Sequence, residues 1–148
     1  MNHQIGDLFA LQEQRVRLYD EFERAHRLYL QTAPEFSGFA AYRQTVHELT
    51  QKFSSISVGV MSVEEKLMEE KKMELARLVR CLQNEEKRKL ELTAELHVSK
   101  KNAVECGRDL ADDETVVRII TSIRDVKSKI NEHLKDIRYE AEPILLGE

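Results

Sequence analysis

The sequence predicts an all-α fold: an antiparallel helical bundle or coiled-coil hairpin of three to four long helices. Three observations carry that prediction. Charged residues make up 34% of the 148 residues and aromatics 6%, with no tryptophan, whereas an average globular chain is about 25% charged. Only five glycines and two prolines are present, too few turn formers for a sheet protein of this length. Apolar residues also recur at alternating steps of three and four along most of the chain, the period of helices that lie against one another. The length sets a single helical domain over 1–148. A deep catalytic pocket would need more apolar wall than this composition supplies.

The first helix is expected at about 5–31. Leu8, Leu11, Arg15, Leu18, Phe22, Ala25 and Tyr29 form one stripe at strict three-four spacing. Only Arg15 interrupts it, and its long stem can cover the seam while its charged head reaches water. Thr32 to Gly38 then breaks the pattern, because Pro34 cannot occupy a helix interior and biases Ala33 away from helical angles. Ser37 is a candidate cap for the next helix. So short a connection makes the two neighbours antiparallel.

The second helix, about 38–68, carries Phe39, Tyr42, Val46, Leu49, Phe53, Ile56, Val60, Val63 and Leu67 without a missed seam position. That phase carries the helix through Ser54, Ser55, Ser57 and Gly59, although the glycine costs about 1 kcal/mol relative to alanine. Beyond Leu67 the phase is lost in Met68-Glu69-Glu70-Lys71-Lys72-Met73-Glu74 and restarts at Leu75. Two arrangements stay open. Residues 38–102 could form one rod of roughly 95 Å at 1.5 Å per residue, since every residue at the junction favours helix. The chain could instead fold back near 68–73, which buries more apolar surface. The burial argument tips the reading slightly to the hairpin.

The third helix, about 73–102, has the seam Leu75, Leu78, Leu82, Glu85, Lys89, Leu92 and Leu96. Its polar middle marks it as the weakest core contributor and the most solvent-exposed segment. Gly107 supplies a helix stop, and Asp112 or Asp113 a cap for the fourth helix, about 113–141. That helix carries Val116, Ile119, Ile123, Val126, Ile130, His133 and Ile137. Pro143 is expected to end it, leaving 143–148 as a loose tail.

The chain carries 23 basic and 27 acidic residues, a net −4, so it is not an electrostatic nucleic-acid binder as a whole. No apolar run is long enough for a membrane span, and Met1–Asp7 lacks the profile of a secretory signal. A soluble intracellular protein is expected. Cys81 and Cys106 read as reduced thiols. His3, His26, His47, His97 and His133 form no HExxH and no Cys/His cluster, and the glycines form no phosphate loop. No catalytic residue, metal or cofactor is expected, and the chain reads as not an enzyme. Between Lys71 and Lys101 nine basic residues face five acidic ones. A stripe centred on Lys87, Arg88 and Lys89 could touch phosphates or an acidic partner, but no aromatics interleave to support base stacking. A solvated helix face is the favoured reading of it.

Two stretches resemble a known family. One runs from Leu11 through Tyr19-Asp20-Glu21-Phe22 to Leu30 and on to Tyr42-Arg43-Gln44-Thr45-Val46-His47-Glu48-Leu49-Thr50; the other is Leu134 to Glu142. The pattern is similar to the "required for excision 1-B" domain family of DNA-repair proteins, over about 8–142. The resemblance implies a small helical protein linked to DNA repair, with no catalytic residue to carry over. The run from Tyr42 to Thr50 is its most specific part, and the motif residues Tyr42, Arg43, Thr45, His47, Glu48, Arg138 and Glu140 are the candidate interaction residues. The function expected is that of a non-catalytic adaptor or scaffold that binds protein partners through its helix faces, or a second copy of itself, in the nucleus. The alternative is a structural coiled-coil component of a ciliary, axonemal or other microtubule-associated assembly in the cytoskeleton.

Overall fold

The computed structural model describes residues 2–145, with side chains over 3–143. Four helices follow in chain order: α1 (Asn2–Leu30), α2 (Phe39–Glu69), α3 (Met73–Glu105) and α4 (Glu114–Leu145). A short 3₁₀ turn at Leu110–Asp112 precedes α4, and no strand occurs among the described residues. The helices alternate in direction. α1 packs on α2, α2 on α3 and α3 on α4, while α1 and α4 meet only sparsely. One apolar core threads all four, with Leu8, Val60, Leu67, Leu82, Val116 and Ile137 at 1% exposure or less.

α2 passes unbroken through Ser54–Gly59. A Cβ at Gly59 would stand 3.0 Å from the Leu11 side chain, so the glycine lets α1 approach α2 closely there. Thr32, not Ser37, organises the α1–α2 turn. Its hydroxyl donates to the Tyr29 carbonyl (2.6 Å) and accepts from the Gly38 N–H (3.2 Å). Gly38 occupies the cap position, without a side-chain cap bond.

The chain folds back at Glu70–Lys72, which excludes the long rod. The Lys71 N–H bonds to the Met68 carbonyl (3.0 Å) and the Lys72 N–H to Leu67 (2.8 Å), the two-bond pattern that closes a helix on a left-handed residue. Gly107 ends α3 in the same way, with Gly107 N–H to Val104 and Arg108 N–H to Ala103. Gly107 has φ +69° and Lys71 φ +62°. A side chain in that region costs roughly 1–2 kcal/mol. Lys71→Gly is therefore expected to stabilise the bundle by about 0.5–1 kcal/mol. The check is a higher urea midpoint at an unchanged slope.

Asp113 caps α4, accepting from the Val116 N–H at 3.0 Å and from Arg108 Nε at 2.9 Å. Its carboxyl is held below the usual range, first by the bond from the Val116 N–H. α4 does not stop at Pro143 but runs through it to Leu145. The proline sits in the last turn, where it forgoes one helix bond to the exposed Tyr139 segment instead of breaking an interior ladder. Of the expected tail, residues 146–148 lie outside the described residues.

α3 is central, not peripheral. Leu75, Val79, Leu82, Leu92 and Leu96 are buried, and so are Glu86, Thr93 and His97. Its polar middle lies under α1, which presents polar side chains of its own.

Candidate functional site

The buried line of α1 differs from the apolar stripe of the sequence. Ile5, Leu8, Gln12, Arg15, Tyr19, Phe22, His26 and Tyr29 are all buried, whereas Leu11 and Ala25 are half-buried. This line has the same three-four period, turned toward α3. Its polar members find partners there, and that is why polar side chains could enter the interior.

Arg15 does not reach water; it is 3% exposed and Glu86 4%. Arg15 Nη1 lies 3.7 Å from Glu86 Oε2, and Arg15 Nη2 donates to Gln83 Oε1 at 2.8 Å. Gln12 bridges them, donating through Nε2 to Glu86 Oε2 and accepting from Arg15 Nη1 at 3.3 Å. Gln83 Nε2 carries the network to Ser57 Oγ on α2, at 3.0 Å. Tyr19 OH lies 3.5 Å from the Glu86 carbonyl oxygen, and Lys89 Nζ sits 3.9 Å above the Tyr19 ring. Burial lowers the pKa of Arg15 despite the attraction of Glu86. Burial likewise raises that of Tyr19, and Glu86 adds to it. Burial lowers that of Lys89.

Toward the α1–α2 turn lies an aromatic and histidine cluster. His26 on α1 and His97 on α3 stack face to face, with centroids 4.0 Å apart and planes 7° apart. Phe22 meets the His97 ring edge-on at 4.3 Å, and Tyr42 meets His26 at 5.6 Å. His97 Nε2 is 2.9 Å from Glu23 Oε1. That bond holds the Glu23 carboxyl below its usual range. Burial pushes His26 down to about 4, with the neighbouring His97 as the next cause. Among the described residues no group of His, Cys, Asp and Glu could hold a metal ion. Nothing in the chain marked this pair, since 71 positions separate the two histidines. The signal present was phase: 26 falls three-four from 19, 22 and 29, and 97 from 93.

The candidate interaction residues are not gathered into one place. The Tyr42 ring stacks on Tyr29 at 4.7 Å, half-buried. Thr45 is half-buried, while Arg43, His47 and Glu48 are exposed on α2. Gln51 approaches His47 at 3.4 Å and Gln44 donates to Glu48 at 3.1 Å, both along the helix. Arg138 lies 5.0 Å over Phe9, and Glu140 is exposed. Phe9 and Tyr29 are 20 residues apart on one helix, about 30 Å, so the two groups occupy opposite ends of the bundle. Lys87 and Arg88 are exposed but Lys89 turns inward, because successive helix residues point about 100° apart.

Between α1 and α4, over α3, the bundle is open. The groove holds about 600 Å³ and is lined by Val16, Tyr19, Ile120, Ile123, Ile130 and Leu134, with Lys89, Arg124 and Lys127 among them. No helix of the described residues is long and apolar enough to cross a membrane.

A family model for DNA repair REX1-B matches residues 3–100. The chain belongs to the REX1-B family. Two relatives share the name "Required for excision 1-B domain-containing protein". The one from Mus musculus is 32% identical over 133 residues, covering 89% of this chain and 76% of the relative. The one from Bos taurus is 33% identical over 137 residues, covering 91% and 73%. No solved structure matches the chain. The REX1-B match takes in α1, α2 and most of α3, hence the Arg15–Glu86 network, the histidine stack and Tyr42 to Glu48. The stretch Leu134–Glu142 lies beyond it.

Proposed function

We propose that this REX1-B family chain is a non-catalytic helical adaptor in the excision repair of damaged DNA, working in the nucleus through protein contacts on its helix faces. The family match across residues 3–100 is the observation that carries the repair reading. The adaptor reading is supported by how the polar groups are used. Arg15, Glu86, Gln12, Gln83 and Ser57 are engaged with one another inside the bundle, while apolar side chains such as Val16, Val58 and Met61 are more than half exposed. Apolar surface left in water on a small bundle favours contact with partners.

The test is survival after ultraviolet irradiation in cells lacking the protein. Sensitivity reversed by the intact chain, with the chain concentrated at damaged nuclear sites, is the expected result. Normal survival, with the chain along microtubules, overturns the proposal.

A further inference from the structure

We infer that the groove between α1 and α4 binds an amphipathic helix of a partner protein, apolar on its inner side and acidic along the edge that lies against α4. This deepens the adaptor reading and rests on it. α1 and α4 are the first and last helices and meet sparsely, so the fourth side of the bundle is left unclosed. Its walls carry the apolar surface: Tyr19 on α1 and Ile123 and Ile130 on α4 line it, with Leu96 beside the polar Glu86, Lys89 and Thr93 on the α3 floor, and Val16 stands at its lip with 52% of its surface exposed.

The charges on the rim choose the occupant. Arg124 and Lys127 stand one turn apart on α4, exposed, and among the described residues neither is held by an ion pair or hydrogen bond. Lys89 rises from α3 between the walls, where Glu86 attracts it and Lys127 acts on it more weakly as a repelling like charge. The α1 wall supplies Asp20 and Glu23, and Glu23 is already engaged by His97. Glu86 on the floor is taken by Arg15 and Gln12, so of the three acids that line the groove Asp20 is the one left to meet the three cations. Carboxylates on a partner helix, spaced three or four residues apart, would match Arg124 and Lys127 and offset the repulsion between Lys127 and Lys89. An apolar row on the same helix would cover the isoleucines and Val16, the usual arrangement of a helix laid in a groove. A phosphate backbone would match the cations alone and leave the apolar walls in water. For that reason a protein helix is favoured over nucleic acid.

The experiment uses the full chain and two synthetic amphipathic peptides that share one leucine row. One carries glutamates along an edge and the other lysines there. Binding is followed by fluorescence anisotropy at moderate salt. The glutamate peptide should bind at least tenfold tighter than the lysine peptide, and the R124E/K127E variant should reverse that order. Val16→Glu, at the exposed lip, should weaken both peptides about tenfold. Thermal unfolding of each variant close to wild type keeps the comparison valid, since all three positions are exposed. Equal binding of the two peptides, or an order unchanged in R124E/K127E, overturns the inference. So does duplex DNA bound through Arg124 and Lys127 without peptide binding, or a dimer of this chain dissolved by the same variant. In cells, full rescue of ultraviolet survival by R124E/K127E removes the groove and leaves the adaptor reading intact. Normal survival without any of the protein removes the adaptor reading itself.

Discussion

Glu86→Ala is expected to destabilise the bundle by about 3–5 kcal/mol, a large part of the 5–15 kcal/mol typical of a domain. The substitution leaves the Arg15 guanidinium buried at 3% exposure without its carboxylate, and takes the acceptor from Gln12 Nε2. Burial already works against the charge on Arg15 with Glu86 in place; without it the desolvation cost has no counterpart. The double variant R15M/E86L should behave differently. It removes both charges and fills the space with apolar groups, so most of the loss should return, and stability above wild type is within the usual range for such replacements. Urea unfolding of the single and double variants reads both outcomes. A loss under about 1 kcal/mol for Glu86→Ala would mean that the guanidinium finds water, and the network would then not be a closed interior.

The second large effect is acid sensitivity through His26. Its pKa in the fold is about 4, against about 6.5 in an unfolded chain. Between those values the unfolded state binds the proton and the folded state does not. Stability is therefore fully present above pH 6.5, and falls as pH drops through the window toward 4. The whole step is on the order of 3 kcal/mol. The groups around the ring explain the sign. His26 is 2% exposed, stacked on His97 and closed by Tyr42, so a proton there would sit in an apolar space beside a second imidazole. His26→Phe keeps an aromatic ring and removes the titration. Denaturant midpoints measured from pH 7 to 5, above the range in which Glu23 and Asp113 take up protons, should fall for the native chain and stay nearly level for the variant. Parallel curves would place the acid response elsewhere.

The apolar phase of the helices was readable from the residues because three-four spacing follows from the helix itself and needs no knowledge of neighbours. Phe53, Ile56, Val60, Val63 and Leu67 could be assigned to a buried face on that basis, and they are buried. The α2–α3 turn was harder. Its left-handed residue is Lys71 and not a glycine, so the composition there speaks for helix while the chain reverses. The polar interior was harder still. Arg15 and Glu86 each look like surface residues alone, and only their meeting makes either one tolerable inside. The groove depends on which helices fail to touch, which no single segment encodes.

The sequence by itself determined that this chain is helical and that its helices must associate, because local hydrogen bonding and the period of apolar side chains are properties of each segment. It also carried the likeness to the REX1-B family. Only the tertiary structure decided that α3 lies at the centre, that Arg15 and Glu86 pair in the interior, that His26 and His97 stack, and that α1 and α4 stand apart. Those facts depend on side chains about 70 or more positions apart, and the cost of burying a charge or an imidazole is set by the partner that folding brings to it.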